Sequence, residues 1–186
     1  MVKIQKISEI EPRLGFTEFD MLKKYRQSFA TSELGRLHAL FPFSELTRVV
    51  IIDGQGGRMG RALVEEIHKL CPGQPLLALG ANTTATAAMM KAGAAMGATG
   101  ENPVLVACRD ADLIIGPIGI VIADSLLGEI TPAMAAAIGQ SRAQKILIPV
   151  SGSSYCRHIL VGTQNLPMNE YIHLAAEEAT AYLNHI

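Results

Sequence analysis

The stretch from Arg48 to Arg61, Arg-Val-Val-Ile-Ile-Asp-Gly-Gln-Gly-Gly-Arg-Met-Gly-Arg, restricts the fold of this chain more than any other. Val49 to Ile52 is an apolar, β-branched run, the pattern of a buried strand. Gly54, Gly56, Gly57 and Gly60 follow at once, and Ala62, Leu63, Ile67 and Leu70 then recur at helical spacing. A strand that turns directly into a helix needs residues without a Cβ at the bend. The helix opened by such a turn presents free N–H groups and a partial positive charge to an anion. The expected ligand at Gly54–Gly60 therefore carries phosphate, most simply as a dinucleotide.

The glycine pattern departs from G-x-G-x-x-G, because Met59 occupies the third glycine position, and fits G-x-x-G-x-x-G through Gly54, Gly57 and Gly60. Physical roles still follow: Gly54 makes the turn, Gly56 or Gly57 lets the backbone approach phosphate, and Gly60 lets helix meet strand. A strand-to-helix turn without a ligand is the alternative. At the end of the second strand, where an acid would bind the ribose hydroxyls of NAD, the chain has Gly80-Ala81-Asn82-Thr83-Thr84. Neutral donors there suit a 2′-phosphate or another phosphorylated group, with Arg58 or Arg61 supplying charge, so NADP is favoured over NAD. The candidate cofactor-binding residues are Gly54, Gly56, Gly57, Arg58, Met59, Gly60, Asn82 and Thr83, joined by Gly116 and Pro117 at the end of a later strand, where ligands sit in open α/β sheets. Asp53 precedes the first glycine. Either it stabilises the turn by accepting from nearby N–H groups, or it stands beside a phosphate by turning away, being protonated or sharing a cation.

From residue 48 onward strands and helices alternate. A helix over about 58–70 ends at Cys71-Pro72-Gly73, Pro75–Leu79 is a second strand, and Asn82 caps a helix to about Ala95. Gly97–Asn102 reads as a loop. Asn102-Pro103 reads as cap and first position of a short helix to about Asp110. Val104–Val106 also suits a strand, but the gap before the strand Asp112–Ile115 is too short for a parallel crossover. A helix over Ile118–Leu127 follows, then one from Thr131-Pro132 to about Ile138 closed by Gly139. The remainder reads as a strand Lys145–Val150, a turn Ser151–Tyr155, a further strand His158–Gly162 suited to an antiparallel edge, and a helix from Pro167 through Tyr182. This order predicts a three-layer Rossmann-like α/β domain with a mostly parallel sheet over residues 48–186. Residues 1–47 read as a helical N-terminal extension, with helices near Phe19–Phe29 and Ser32–Leu40. They hold all five Phe, anchors for docking on the domain or on a second subunit.

Composition narrows the partners. A formal net charge of −1 gives no general attraction to nucleic acid or anionic membrane. The most apolar stretch, Leu113–Ala123, is too short to span a bilayer. Cys71, Cys108 and Cys156 are widely spaced, so the expectation is a reducing cytoplasm, with no disulfide framework and no metal site. His68 with Cys71, and Cys156 with His158, do not complete a ligand set. Asp124 and Glu129 are candidate catalytic carboxylates, with a helix-surface role more natural for Asp124. His173 and Glu177 share a helix face at i,i+4, and Ser125 and Ser151–Ser154 lack a nucleophile-elbow pattern. The catalytic residues are left unassigned. The expected partner is a small phosphorylated ligand, with a homo-oligomer left open. A non-catalytic sensing or partner-binding module and a small NADP-dependent oxidoreductase are the alternatives; for the latter, little chain remains to hold a substrate.

Two resemblances accompany these motifs. Gly57-Arg58-Met59-Gly60-Arg61 resembles the nucleotide loop of dihydrodipicolinate reductases, which use NADH or NADPH, although their His- and Lys-containing catalytic segment is absent. More widely, Asp53-Gly-Gln-Gly-Gly, Ala78-Leu-Gly-Ala-Asn-Thr, Lys91-Ala-Gly-Ala, Gly97-Ala-Thr-Gly-Glu-Asn, Gly116-Pro-Ile-Gly-Ile, Gly128-Glu-Ile-Thr-Pro and Lys145-Ile-Leu-Ile-Pro resemble, in order, a family of small bacterial proteins classed as a domain of unknown function. That resemblance implies a compact Rossmann-like domain and no established activity.

Overall fold

A computed structural model of the protein describes residues 47–150 and 158–185. The elements run β1 (Val49–Asp53), α1 (Arg58–Leu70), β2 (Leu76–Gly80), α2 (Thr83–Lys91), β3 (Met96–Thr99), α3 (Glu101–Ala107) and β4 (Leu113–Pro117). A 3₁₀ turn (Ile118–Val121), the single turn α4 (Ser125–Gly128), α5 (Pro132–Gln140), β5 (Gln144–Ile148) and α6 (Met168–His185) complete them. The five strands form one sheet in the order β3-β2-β1-β4-β5, and every pairing is parallel. The chain winds outward from β1 in one direction, then returns to β1's other side and winds outward again.

β1 is central, and its alternation builds both cores. Val49 and Ile51 face a cluster with Leu63, Val64 and Ile67 of α1, Met89 of α2 and Ile172, Ala176 and Leu183 of α6. Val50 and Ile52 face the opposite cluster, with Val104 of α3, Ile120, Ile130, and Met134 and Ile138 of α5. A parallel strand covered on both faces must be apolar at every position, which is why Val-Val-Ile-Ile carries no polar alternation. The result is a three-layer α/β architecture.

Several boundaries differ from those expected. Strand β3 (Met96–Thr99) takes in Gly97–Thr99, the start of the expected Gly97–Asn102 loop, and α2 stops at Lys91 rather than near Ala95. Met-Gly-Ala-Thr lacks a β-branched run because β3 is a largely exposed edge strand. At Gly97 a Cβ would stand 2.6 Å from Met90 Sδ, so the Met90 side chain lies directly over this glycine. α3 begins at Glu101 with Gly100 as its N-cap, two residues earlier than Asn102-Pro103 implied. The helix expected over Ile118–Leu127 does not form. One 3₁₀ turn is followed by a chain that crosses into the left-handed region at Asp124 (φ 59°), Leu126 (φ 53°) and Leu127 (φ 61°). His158–Gly162 is not a strand: Ile159 and Val161 are 89% and 94% exposed and pair with no sheet neighbour, so their β-branched character has no core to enter. The expected helices of residues 1–46 and the turn at 151–155 lie outside the described residues.

Candidate functional site

The reversal of winding direction places a crevice at the carboxyl ends of β1 and β4, where open α/β sheets hold ligands. Its open volume is about 940 Å³. Three segments wall it: Asp53–Met59 after β1; Pro117, Gly119 and Ile122–Gly128 after β4; and Val150 and His158 beyond β5, with Met168 and Ile172 of α6 opposite.

The floor is the glycine turn. Gly57 N–H closes it onto Gly54 O at 3.0 Å, and Gly57 is the left-handed N-cap of α1 (φ 67°, ψ 15°), with no side chain capping the helix. Gly57 serves packing more than ligand approach, because a Cβ there would lie 2.5 Å from Ala85 Cα of α2. Gly56 is the residue open to approach: it is exposed, and a Cβ on it would meet nothing within 4 Å. Gly60 has the role expected of it, with a Cβ position 2.8 Å from Asp53 Cβ where helix crosses strand.

Asp53 resolves one of the two alternatives left open by the sequence. Its Oδ1 accepts from Gly54 N–H at 2.8 Å and its Oδ2 from Gly60 N–H at 2.6 Å, so it braces the turn. Burial pushes its carboxyl above the usual range, the Gly60 and Gly54 amides pull it back, and the charge of Glu129 adds to the rise. Its placement also satisfies an N–H of the first turn of α1. Among the described residues the amides of Gly56 and Arg58 keep no protein acceptor, and the exposed Arg58 side chain makes no ion pair. Arg61, the other expected cation, is paired with Glu65 at 2.8 Å on the helix surface.

Of the expected site residues, the structure gathers Gly54, Gly56, Gly57, Arg58, Met59 and Pro117 around the crevice. Gly60 lies behind them as a packing residue. Gly116 lies behind too, buried where a Cβ would run into Ile52 O of β1. Asn82 and Thr83 stand apart from the lining. Asn82 is wholly engaged: Oδ1 caps α2 by accepting from Ala85 N–H at 2.9 Å, while Nδ2 donates to Gln55 O at 2.9 Å and to Glu129 Oε2 at 3.0 Å. Thr83 is the exposed first residue of α2.

What the sequence reading missed is the form of the wall after β4. The chain from Ile122 to Ile130 forms a strap across the carboxyl end of β1, tied internally by Asp124 N–H to Ile130 O at 2.8 Å and by Ser125 Oγ to Gly119 O. Glu129 closes it, accepting Gln55 N–H on Oε2 at 2.6 Å. A Cβ on Gly54 would stand 2.6 Å from that oxygen and 2.9 Å from Leu126 Cδ1, so the strap lies directly on the first glycine. The one sequence signal was Gly128 within this segment, a residue that takes a left-handed conformation (φ 86°).

The polar side chains lining the crevice include Asp53, Asp124, Ser125 and His158, and no hydrogen bond joins any two of these four; His158 Nε2 lies 3.0 Å from Val150 O. Among the described residues no group of three His, Cys, Asp or Glu side chains is placed to hold a metal ion, and no helix is long and apolar enough to cross a membrane. No curated protein matches the chain. Residues 48–184 match the family described as Domain of unknown function (DUF3842), to which the chain belongs.

Proposed function

We propose that the crevice binds a phosphorylated nucleotide, with phosphate on the Gly56–Arg58 edge of the glycine turn. The observation that carries this reading is the coincidence of three features at one place: the reversal point of a parallel sheet, a crevice of about 940 Å³, and the amino end of a 13-residue helix, where the amides of Arg58 and of Gly56 just before it are uncommitted among the described residues. The unpaired Arg58 guanidinium adds a charge-assisted donor at the same edge. NADP, favoured by the sequence, is the first dinucleotide to titrate. The reading is of binding alone: among the described residues lining the crevice, no hydrogen bond joins Asp53, Asp124, Ser125 and His158 to one another.

The test uses the full chain purified natively and then denatured, with released small molecules identified by mass spectrometry. A nucleotide in the wild type, and its loss in Gly56→Val with unchanged circular dichroism, is the expected outcome. Retention of the same nucleotide at full occupancy by Gly56→Val removes the assignment to this turn.

A non-catalytic sensing module is the second reading, favoured by the strap. A segment with three non-glycine residues in left-handed conformation, lying on the ligand's floor, has a strained arrangement that ligand entry is able to bias.

A further inference from the structure

Resting on that nucleotide reading, we infer that the Leu126–Glu129 strap makes the site selective for a mononucleotide, a nucleoside mono- or diphosphate, over a dinucleotide. A dinucleotide laid along the carboxyl ends of this sheet must pass from the β4–β5 side, over Gly54, to the end of β2. That passage is filled by protein. Glu129 Oε2 and Leu126 Cδ1 occupy the space above Gly54, and the groups that would meet the second nucleotide are already bonded to one another. Gln55 N–H is taken by Glu129, Gln55 O by Asn82 Nδ2, and Asn82 Oδ1 by α2. Asn82 and Thr83 accordingly have no part in the crevice lining, which among the described residues extends toward β4, β5 and α6.

The open half suits one nucleotide. With phosphate at Gly56–Arg58, the base and sugar lie against Ile122, Met168 and Ile172, an apolar wall of the kind that encloses small ligands. The closed half is closed at a cost. Asp124, Leu126 and Leu127 are held left-handed, and the bonds of Glu129 oppose the release of that strain. Removing the latch opens the way to β2. NADP, expected from neutral donors at the β2 end, is thus met less well than a mononucleotide by the closed strap, which also engages Asn82 there through its Nδ2 bond to Glu129 Oε2.

The experiment is calorimetric titration of the full chain with ADP and with NADPH, in the wild type, Glu129→Ala, Glu129→Gln and Leu126→Ala. The wild type is expected to bind ADP about tenfold tighter than NADPH. Glu129→Ala is expected to raise NADPH affinity about tenfold with ADP affinity little changed. Leu126→Ala, which removes the other group above Gly54 and leaves the Glu129 bonds in place, shifts the ratio in the same direction and serves if Glu129→Ala does not fold. Glu129→Gln retains an acceptor for Gln55 N–H and keeps the wild-type preference. If Glu129→Gln admits NADPH as well as Glu129→Ala does, charge repulsion is the barrier and the strap inference is overturned. Equal wild-type affinities for ADP and NADPH, or tighter NADPH, overturn it while leaving the nucleotide reading intact. Binding of neither nucleotide by any variant overturns the nucleotide reading, and this inference with it.

Discussion

β1 and β4 lie side by side, both fully buried, and both reach a glycine at their carboxyl ends, Gly54 and Gly116. β1 continues through one tight turn into 13 residues of helix. β4 continues through a 3₁₀ turn and a left-handed strap, and regular helix resumes only at Pro132. After β1, apolar residues recur on one helical face, so the chain has a helix to enter as soon as the glycines let it turn. After β4, Ile118, Ile120, Val121, Ile122, Leu126 and Leu127 give no single face. Ile120 goes to the core while Leu127 is 66% exposed in the crevice. Local pattern governs the first exit from the sheet; contacts with the first exit govern the second.

The sharpest way to break this contrast is at adjacent glycines. Gly57→Val places a β-branched residue at φ 67° and drives its Cβ into Ala85. Left-handed strain of roughly 1–2 kcal/mol and overpacking of roughly 1–3 kcal/mol together give a loss of about 2–5 kcal/mol, measured by urea unfolding. Gly56→Val, with open space around its Cβ, changes stability by no more than about 0.5 kcal/mol. Equal losses at the two positions would falsify the division of labour between packing and approach.

The strap gives the opposite sign. Leu127→Gly relieves a left-handed leucine that is largely exposed, at the expense of a more flexible unfolded chain. A net stabilisation of about 0.5–1 kcal/mol is expected. A fall in melting temperature shows instead that Leu127 earns its conformation through contacts with the crevice wall.

The smallest effect concerns the helix opened by the glycine turn. His173 of α6 meets Glu66 of α1 at 2.9 Å through Nδ1 and Glu177 at 3.4 Å through Nε2. The hydrogen bond to Glu66 chiefly holds the His173 pKa above the ordinary histidine value. Its stabilisation is therefore fully present below that ordinary value and is lost as pH rises through the raised one. Lys69 first, and His173 second, hold the Glu66 carboxyl below its usual range, so the carboxylate's share is lost only as pH falls through that lowered value. His173→Gln should flatten the decline of melting temperature between about pH 6 and 8. An unchanged slope means that this exposed clamp adds nothing to α1–α6 packing.

Those particulars also show what the amino-acid order reveals. The Val49–Asp53 strand, α1, the cap at Asn82 and the cap at Thr131 were readable because each depends on residues within a few positions: a β-branched run, a helical stripe, a side chain accepting an N–H three residues on. β3 was not, because Met-Gly-Ala-Thr becomes a strand only by lying against Leu77–Gly80. Ile159 and Val161 misled in the other direction, strand-like in composition with no sheet to join. At the site, the glycine turn and Pro117 were legible and the strap was not. Nothing in the residues around Glu129 announces that its carboxylate will find Gln55 N–H across 74 positions of chain.

The central position of β1 bears on the order in which the molecule assembles. On one side Val49 meets Leu76, reached through a single helix; on the other it meets Leu113, with two further helices and two strands of chain between. Closing the longer loop carries the greater entropic penalty, and contacts distant along the chain slow folding. β1, α1 and β2 thus form the natural early unit during synthesis, and β4 docks onto an exposed apolar edge of it. Until that docking, the edge of Val49–Asp53 stays open to other strands, so the interval before β4 emerges is when a nascent chain of this topology is most exposed to mispairing.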